Sequence, residues 1–266
     1  MIDWERAYDN RRAVAGADAM HAAWLAEAAS FRERMGARFE VHAHGPGPRE
    51  TLELFRPEGE ARGLAVFIHG GYWQRNAPET FSHLAAGALS AGWAVALPGY
   101  GLCPEVRIAG ITAQVARAVA RAAALVPGPV RLAGHSAGGH LAARMACAGV
   151  LPQAVAARLG HVLSISGLHD LRPLMNTPLQ AALGLDLAEA RAESPALLEP
   201  LPGARLTAWV GAEELAELRR QSRLIAEIWG GLGLETRLVE EAGRDHFAVI
   251  EPLAEAESPI ARAWIG

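Results

Sequence analysis

The feature that most constrains this chain is a Gly-His-Ser-Ala-Gly pattern between an apolar run and an alanine-rich run. The run 130–133 is typical of a buried strand, and 139–148 carries apolar residues at helical spacing. Gly134 and Gly138 each stand two residues from Ser136, so the chain can turn sharply from strand to helix where a Cβ would collide. This turn would expose the serine hydroxyl over the strand ends, which predicts a nucleophilic serine.

Apolar runs of strand length alternate with helical patterns along most of the chain. The predicted strands cover residues 38–43, 51–55, 64–68, 93–97, 130–133, 162–166, 206–210 and 236–239. The predicted helices cover residues 79–91, 108–125, 139–148 and 215–229. Alternation of this kind favours βαβ crossovers and an α/β fold with a mainly parallel central sheet and helices on both faces. The turn Gly45-Pro46-Gly47-Pro48 predicts an antiparallel hairpin at the N-terminal edge.

Neither a repeat nor a long linker divides the chain, so we expect one domain over residues 1–266. Residues 1–35 are predicted to form an N-terminal helical arm, with Asp18 as the N-cap of a helix that ends near Met35. The arm is expected to pack on the core or to lie over a site. Residues 168–202 contain five prolines and are predicted to form short helices in a small cap insertion.

Composition excludes several classes of function. The chain has 266 residues, of which 51% are hydrophobic and 20% charged, and its net charge of −4 disfavours nucleic acid and anionic membranes as partners. Its two cysteines have no CxxC spacing, so we expect no metal site. No apolar signal core follows Met1, and we expect no run that is long enough to span a bilayer. We therefore expect a cytoplasmic protein that acts on a small molecule. The composition leaves open whether the chain forms a homodimer.

A nucleophilic serine needs a base and an acid that orients the base. On this fold they follow the serine in the order acid, then histidine. His246 lies beyond the last predicted strand and is the candidate base. Two glutamates follow the strand 206–210, and Glu214 is preferred over Glu213, although the choice stays open. Asp170 is a weaker candidate, and Asp245 is expected to point away from its neighbour His246.

Backbone N–H groups that face the reacting oxygen form the last part of such a site. The predicted strand 64–68 ends in His-Gly-Gly-Tyr, where glycines allow the backbone to approach a substrate oxygen. The candidate donors in this loop are Gly70, Gly71 and Tyr72, and the pattern does not decide between them. Ala137, at the start of the helix after the serine, is the other candidate oxyanion donor.

These motifs together resemble the α/β-hydrolases, and within them the arylformamidase (kynurenine formamidase) group related to hormone-sensitive-lipase-type esterases. The resemblance covers about residues 60 to 250. It rests on His69–Gln74, Tyr100 with Leu102–Pro104, Gly134–His140, Ser166–Leu168 with Asp170 and Leu171, Glu217 with Arg220–Ser222, and Asp245–Phe247.

The resemblance implies a serine hydrolase without a cofactor, in which Ser136 is the nucleophile, His246 the base and Glu214 the acid. The acid is usually aspartate in the group, so the glutamate here is a departure. The implied reaction is removal of a small acyl group from an aryl amide or ester, with N-formylkynurenine as the favoured substrate. Besides Tyr72, the apolar wall for the aryl group is predicted from Trp73, Tyr100 and Leu102. The alternatives are a general short-acyl carboxylesterase and a non-catalytic binding protein of the same fold.

Overall fold

The computed structural model describes residues 2–266 and is organised around one eight-stranded sheet. The strands are β1 Phe39–Ala43, β2 Thr51–Phe55, β3 Leu64–Ile68, β4 Ala94–Pro98, β5 Val130–His135, β6 Leu159–Ile165, β7 Arg205–Gly211 and β8 Glu235–Glu241. Their order across the sheet is β1-β2-β4-β3-β5-β6-β7-β8. Strand β2 runs antiparallel to both β1 and β4, and all other neighbouring strands are parallel. The predicted α/β architecture with an antiparallel N-terminal edge is confirmed.

Helices cover both faces of the sheet. The α-helices are α1 Asn10–Ala13, α2 Ala17–Met35, α3 Ala86–Ser90, α4 Ile108–Leu125, α5 Ala137–Met145, α6 Gln153–Ala156, α7 Gln180–Leu183, α8 Leu187–Ala192, α9 Ala216–Gly231 and α10 Pro259–Ile265. The 3-10 helices are Gly36–Arg38, Pro78–Thr80, Ser82–Ala85, Arg172–Asn176, Pro195–Leu197 and Ala248–Ala254.

Strand β3 shows why a strand in the middle of this sheet can be apolar throughout. Leu64, Val66 and Ile68 belong to one buried cluster, which also contains apolar residues of α4, α5 and α9. Ala65 and Phe67 point the other way, into a cluster with α2, α3 and α10. Because successive side chains of a strand alternate between faces, a strand covered on both sides must be apolar at every position.

The predicted helix over 79–91 is wrong in its first half. Two 3-10 helices precede α3, and the carbonyl of Glu79 accepts a hydrogen bond from Arg32 Nη1 at 2.6 Å. The same nitrogen donates to Ser82 Oγ at 2.7 Å. These long-range bonds from α2 occupy groups of the segment, and the Phe81 amide reaches only three residues back, to Pro78, at 2.8 Å. Contacts with another helix therefore outweigh the local pattern.

Helix α4 contradicts the expectation that no segment is long and apolar enough to cross a membrane. Ile108–Leu125 meets that description by length and composition, with 50% of the helix buried inside the protein. Its buried side chains include Ile111, Val115 and Val119, and all three pack in the core on one face of the sheet. The apolar side chains of α4 that could face lipid pack instead against the sheet of this protein.

The arm and the stretch 168–202 are helical, as predicted, but their details differ. Helix α2 has Gly16 rather than Asp18 at its N-cap, and Asp18 lies in the first turn and pairs with Arg11. The stretch 168–202 contains two 3-10 helices together with α7 and α8. Of this stretch, Thr177, Pro178 and Leu179 line a pocket of about 400 Å³.

Candidate active site

Ser136 stands at the turn between β5 and α5, in a strained backbone conformation with φ 58° and ψ −120°. The two glycines are required there by close approach. A Cβ on Gly134 would lie 2.0 Å from the carbonyl oxygen of Gly138, and a Cβ on Gly138 would lie 1.9 Å from that of Ile68. The chain therefore places the serine above the carboxyl ends of the parallel strands, where ligand sites of open α/β sheets lie.

His246 and Glu214 form a buried pair at the same edge of the sheet. The Nδ1 atom of His246 lies 2.6 Å from Glu214 Oε2. The other carboxylate oxygen, Oε1, accepts from the Gly211 amide at 2.8 Å and from Ser166 Oγ at 2.5 Å. Since a carboxylate only accepts, the hydrogen-bond network assigns the proton to Nδ1 and leaves Nε2 of His246 as an acceptor. The chemistry available to this pair is proton abstraction by an oriented imidazole.

The other candidate acids are placed elsewhere. Glu213 is exposed, whereas Glu214 is 7% exposed. Asp170 forms a bidentate pair with Arg172, with both contacts at 2.8 Å, and this pairing lowers the pKa of that carboxyl against the opposing effect of burial. Asp245 accepts from the amides of Phe247 and Ala248, each at 2.9 Å. The structure therefore brings Glu214, and none of these three, to His246.

The glycine loop, which comprises residues 69–76 after β3, holds amides that point away from protein acceptors. The Gly70 carbonyl accepts from His69 Nδ1 at 2.9 Å and from Asn76 Nδ2 at 3.1 Å. Because N–H and C=O of a trans peptide point in opposite directions, the Gly71 amide faces away from these two donors. Within residues 2–266, the amides of Gly70, Gly71, Tyr72 and Ala137 donate to no protein acceptor.

Ala137 offers a second amide by the same reasoning. The Ser136 carbonyl accepts from the His140 amide at 3.1 Å, which directs it along the axis of α5. The Ala137 N–H of that peptide consequently points outward from the helix N-terminus, as an unsatisfied donor of the first turn does. The peptides that carry the Gly70 and Tyr72 amides are held in the same way, because the His69 carbonyl accepts from the Tyr100 hydroxyl at 2.7 Å and the Gly71 carbonyl accepts from the Gln74 amide at 3.0 Å. Carbonyl contacts therefore orient Ala137 and all three candidate donors of the loop.

Two buried histidines support these groups. His135 donates from Nε2 to the His246 carbonyl at 2.8 Å, and the two rings lie 4.5 Å apart. Burial lowers the pKa of His135 well below its usual range, so a second positive charge beside His246 is avoided. His69 stacks on Tyr100 at 4.2 Å, and burial lowers its pKa to about 4. Both rings act as neutral supports.

A pocket of about 400 Å³ opens above Ser136. The residues around it come mainly from the arm, the glycine loop and the loop of His246. They are Trp4, Glu5, Tyr8, Asp9, Asn10, Arg11, Ala17, His21, Trp24, Gly70, Gly71, Tyr72, Arg75, Asn76, Phe81, His135, Ser136, Thr177, Pro178, Leu179, His246 and Phe247. Trp24 contacts Phe81 and Phe247 at ring distances of 5.6 Å and 6.0 Å, so one wall is aromatic.

The predicted wall of Trp73, Tyr100 and Leu102 is wrong, since these three residues do not line the pocket. Trp73 is fully buried and meets the His140 ring edge-on at 5.1 Å. Tyr100 is also fully buried, and its hydroxyl donates to the His69 carbonyl at 2.7 Å. Leu102 packs at the edge of the core. Trp73 has φ 56°, a left-handed conformation that accompanies the inward direction of its ring.

The arm supplies what the sequence reasoning missed. Tyr72, the one predicted wall residue in the pocket, donates from its hydroxyl to the Tyr8 carbonyl at 2.6 Å. Asn10 Nδ2 donates to the same hydroxyl at 3.1 Å. The available signal was the aromatic pair Trp4 and Tyr8 at helical spacing in an otherwise polar segment. The rings are stacked at 6.5 Å and border the pocket.

No group of three or more histidine, cysteine, aspartate or glutamate side chains within residues 2–266 is arranged to hold a metal ion. The residues around the pocket are instead suited to nucleophilic and acid–base chemistry. Ser136 and His246 both border the pocket, while Glu214 lies buried behind His246.

Comparison with known proteins identifies the family of this chain. The model of the alpha/beta hydrolase family matches residues 65–264. Kynurenine formamidase of Danio rerio is 27% identical over 80% of this chain and 75% of its own, and that of Drosophila melanogaster is 27% identical over 86% and 81%. A crystal structure from Silicibacter sp. TM1040, named a "putative thioesterase", is 43% identical over 100% of both chains, with a TM-score of 0.96. A Pyrobaculum calidifontis esterase has a TM-score of 0.72 at 20% identity over 92% and 89%, a likeness of fold. The chain therefore belongs to the alpha/beta hydrolase family and is a hydrolase of that fold.

Proposed function

We propose that this hydrolase uses Ser136 as a nucleophile to remove the formyl group of N-formylkynurenine, releasing formate and kynurenine. The observation that carries the proposal is the buried His246–Glu214 pair beside a pocket that holds Ser136 and an aromatic wall. A formyl group is small and needs little room. The aryl ring needs apolar surface, which Trp24, Phe81 and Phe247 provide.

In the first half of the reaction, Ser136 Oγ attacks the formyl carbon while Nε2 of His246 takes the serine proton. Glu214 keeps the other ring nitrogen protonated and stabilises the imidazolium that forms. The C–N bond then breaks, and His246 gives the proton to the arylamine nitrogen, which leaves as kynurenine. In the second half, water attacks the formyl-serine with His246 again as base, and formate is released.

The negative charge that develops on the formyl oxygen is met by backbone donors. Ala137 and one amide of the glycine loop are the proposed pair, because the carbonyls of their peptides are held in the opposite direction. Among the loop amides, Gly71 is the proposed donor. Removal of one such donor costs roughly 3 kcal/mol of transition-state stabilisation in enzymes of this kind. Gly70 and Tyr72 shape the loop that presents Gly71.

The names of the relatives support the substrate class. Kynurenine formamidases match 80% or more of this chain. Their names describe cleavage of an aryl formamide, and the aromatic wall of the pocket is consistent with an aryl leaving group.

The 43% identical relative named for thioester cleavage favours a second candidate. A short-acyl thioesterase or carboxylesterase would use the same serine, base and acid, since each reaction transfers an acyl group to serine. The two candidates differ in the leaving group, which is a thiol or alcohol in one and an arylamine in the other.

The first test is the initial rate of the purified protein on N-formylkynurenine, p-nitrophenyl acetate and a short acyl-CoA, beside Ser136→Ala. Formamide cleavage that falls by about 10⁴-fold or more in the variant supports the proposal. Ester or thioester cleavage without formamide cleavage supports the second candidate. Turnover that survives in the variant would overturn the assignment of Ser136. The melting temperature of the variant is the control for folding.

A further inference from the structure

Four charged side chains other than histidine border the pocket, and they are not equivalent. Arg11 and Asp9 belong to the arm, Glu5 stands at the start of the arm, and Arg75 belongs to the glycine loop. A site that takes an uncharged ester has no need of an unpaired arginine in the lining of its pocket. The partners of each charge therefore bear on what the pocket binds.

Among the three charges of the arm that border the pocket, the positive one is paired and the two negative ones are not in ion pairs in the part of the chain that the structure describes. Arg11 donates from Nε to Asp18 Oδ1 at 2.5 Å, and its Nη2 contacts the same carboxylate. Asp9 accepts from the Arg12 amide at 3.1 Å and so caps helix α1. Glu5 is exposed. The positive charge of Arg11 is neutralised, while the carboxylates of Asp9 and Glu5 keep their negative charge.

Arg75 differs from Arg11 because it has no acidic partner. Across residues 2–266 its guanidinium takes part in no ion pair or side-chain hydrogen bond. The side chain is exposed, so the guanidinium is accessible to a ligand. The aliphatic part of its side chain lies against the glycine loop, since a Cβ placed on Gly71 would be 2.8 Å from Arg75 Cγ. This part of the unpaired side chain thus lies beside Gly71, and Arg75 lines the same pocket as Ser136.

We propose that Arg75 binds the carboxylate of a zwitterionic amino-acid substrate, with Asp9 and Glu5 providing a favourable field for the ammonium group. Guanidinium and carboxylate match in a bidentate, charge-assisted contact. The acidic side chains make a purely anionic ligand a poorer match than one that carries both charges. The inference rests on the proposed function, because N-formylkynurenine carries such an amino-acid end beyond its aryl ketone.

The test compares N-formylkynurenine with N-formylkynuramine, which keeps the aryl formamide and the amine but lacks the carboxylate. For Arg75→Ala we expect kcat/KM on N-formylkynurenine to fall by about 10- to 100-fold, mainly through KM, because a charge-assisted contact is lost. On N-formylkynuramine the change should stay within about threefold, since no carboxylate is present. Arg75→Lys should retain part of the affinity.

Arg11→Ala is the matched control, because Arg11 borders the same pocket but is already paired with Asp18. Its effect should be nearly equal on the two substrates. A loss in Arg75→Ala that is equal on both substrates would overturn the inference, as would a change within threefold on both.

A second readout separates failure of this inference from failure of the proposed function. Competitive inhibition of p-nitrophenyl acetate hydrolysis by kynurenine and by kynuramine measures the carboxylate contact without any formamide cleavage. If wild type cleaves no formamide but kynurenine inhibits better than kynuramine, and Arg75→Ala removes the gap, the subsite stands and the proposed reaction fails. If wild type shows no gap between the two inhibitors, the subsite is refuted whatever the protein cleaves.

Discussion

The sheet-end loops and the N-terminal arm contribute to one pocket in different ways. Ser136, Glu214 and His246 each follow a strand of the parallel sheet, so the strand order alone brings them to one edge. The arm residues in 2–35 reach the pocket only through contacts with distant parts of the chain, such as Tyr72 with Tyr8. We infer that the sheet edge determines the reaction and that the arm determines what fits.

The largest expected effect concerns the acid at the sheet edge. Glu214→Gln should lower kcat by about 10³- to 10⁴-fold, because an amide in this position no longer holds the tautomer of His246 or its positive charge. Glu213→Gln is the matched control one residue away, and it should remain within about twofold of wild type, as an exposed side chain would. Steady-state kinetics on any substrate that wild type turns over measures both.

Equal losses in the two glutamine variants would mean that Glu214 is not the acid that orients His246. Circular dichroism and the melting temperature show whether Glu214→Gln remains folded. Oε1 of this side chain also accepts from Gly211 and Ser166, so a modest loss of stability is expected together with the loss of activity.

The sequence predicts the residues at the sheet edge better than it predicts the residues of the pocket wall. His246 and Glu214 were predictable because their order after Ser136 follows from the order of strands, and the spacing after β7 favoured Glu214 over Glu213. The wall of the pocket was not predictable in this way. Trp73 lies two residues after Gly71 and Tyr100 follows β4, yet both rings pack inward. Trp4, Tyr8 and Trp24 reach the pocket from the N-terminal arm. Local patterns report which residues follow a strand, but not which distant helix covers it.

Two buried tyrosines sharpen the comparison between the regions. Tyr72→Phe removes the hydroxyl that joins the glycine loop to Tyr8 and Asn10, and a lost hydrogen bond of this kind costs about 1 kcal/mol or more. We expect KM for N-formylkynurenine to rise by roughly three- to tenfold, with a smaller change on p-nitrophenyl acetate, which reaches less of the arm.

Tyr100→Phe is the corresponding variant on the sheet side. Its hydroxyl donates to the His69 carbonyl behind the glycine loop and does not border the pocket. Its loss should lower kcat by a similar factor on both substrates, because it disturbs the loop that holds the proposed oxyanion donors. If the two variants gave the same pattern of KM and kcat, the proposed division between arm and sheet edge would be wrong.

The smallest effect is expected at the joint between the two regions, where Glu53 of β2 meets helix α2. Burial raises the pKa of Glu53 to about 7, although Ser82 Oγ donates to it at 2.6 Å and Arg32 lies 3.8 Å away. Because the folded state then binds the proton more tightly than the unfolded state, stability is greatest below the unfolded pKa of 4.5 and falls as pH rises toward about 7. Glu53→Gln should match wild type near pH 5 and be more stable by about 1–3 kcal/mol near pH 9.

Urea unfolding of wild type and variant across this range measures the difference, and Glu40→Gln is the control of opposite sign. The hydrogen bond from Arg56 lowers the pKa of Glu40, so its removal should slightly reduce stability at high pH.

A Glu53→Gln variant that is less stable than wild type near pH 9 would mean that the contact with Arg32 outweighs the cost of burying the charge. The arm would then be held to the sheet by an ion pair, and high pH would leave the pocket wall in place. If the variant is more stable, alkaline conditions weaken the joint in the wild-type protein. KM for an aryl substrate should then rise with pH before kcat is affected.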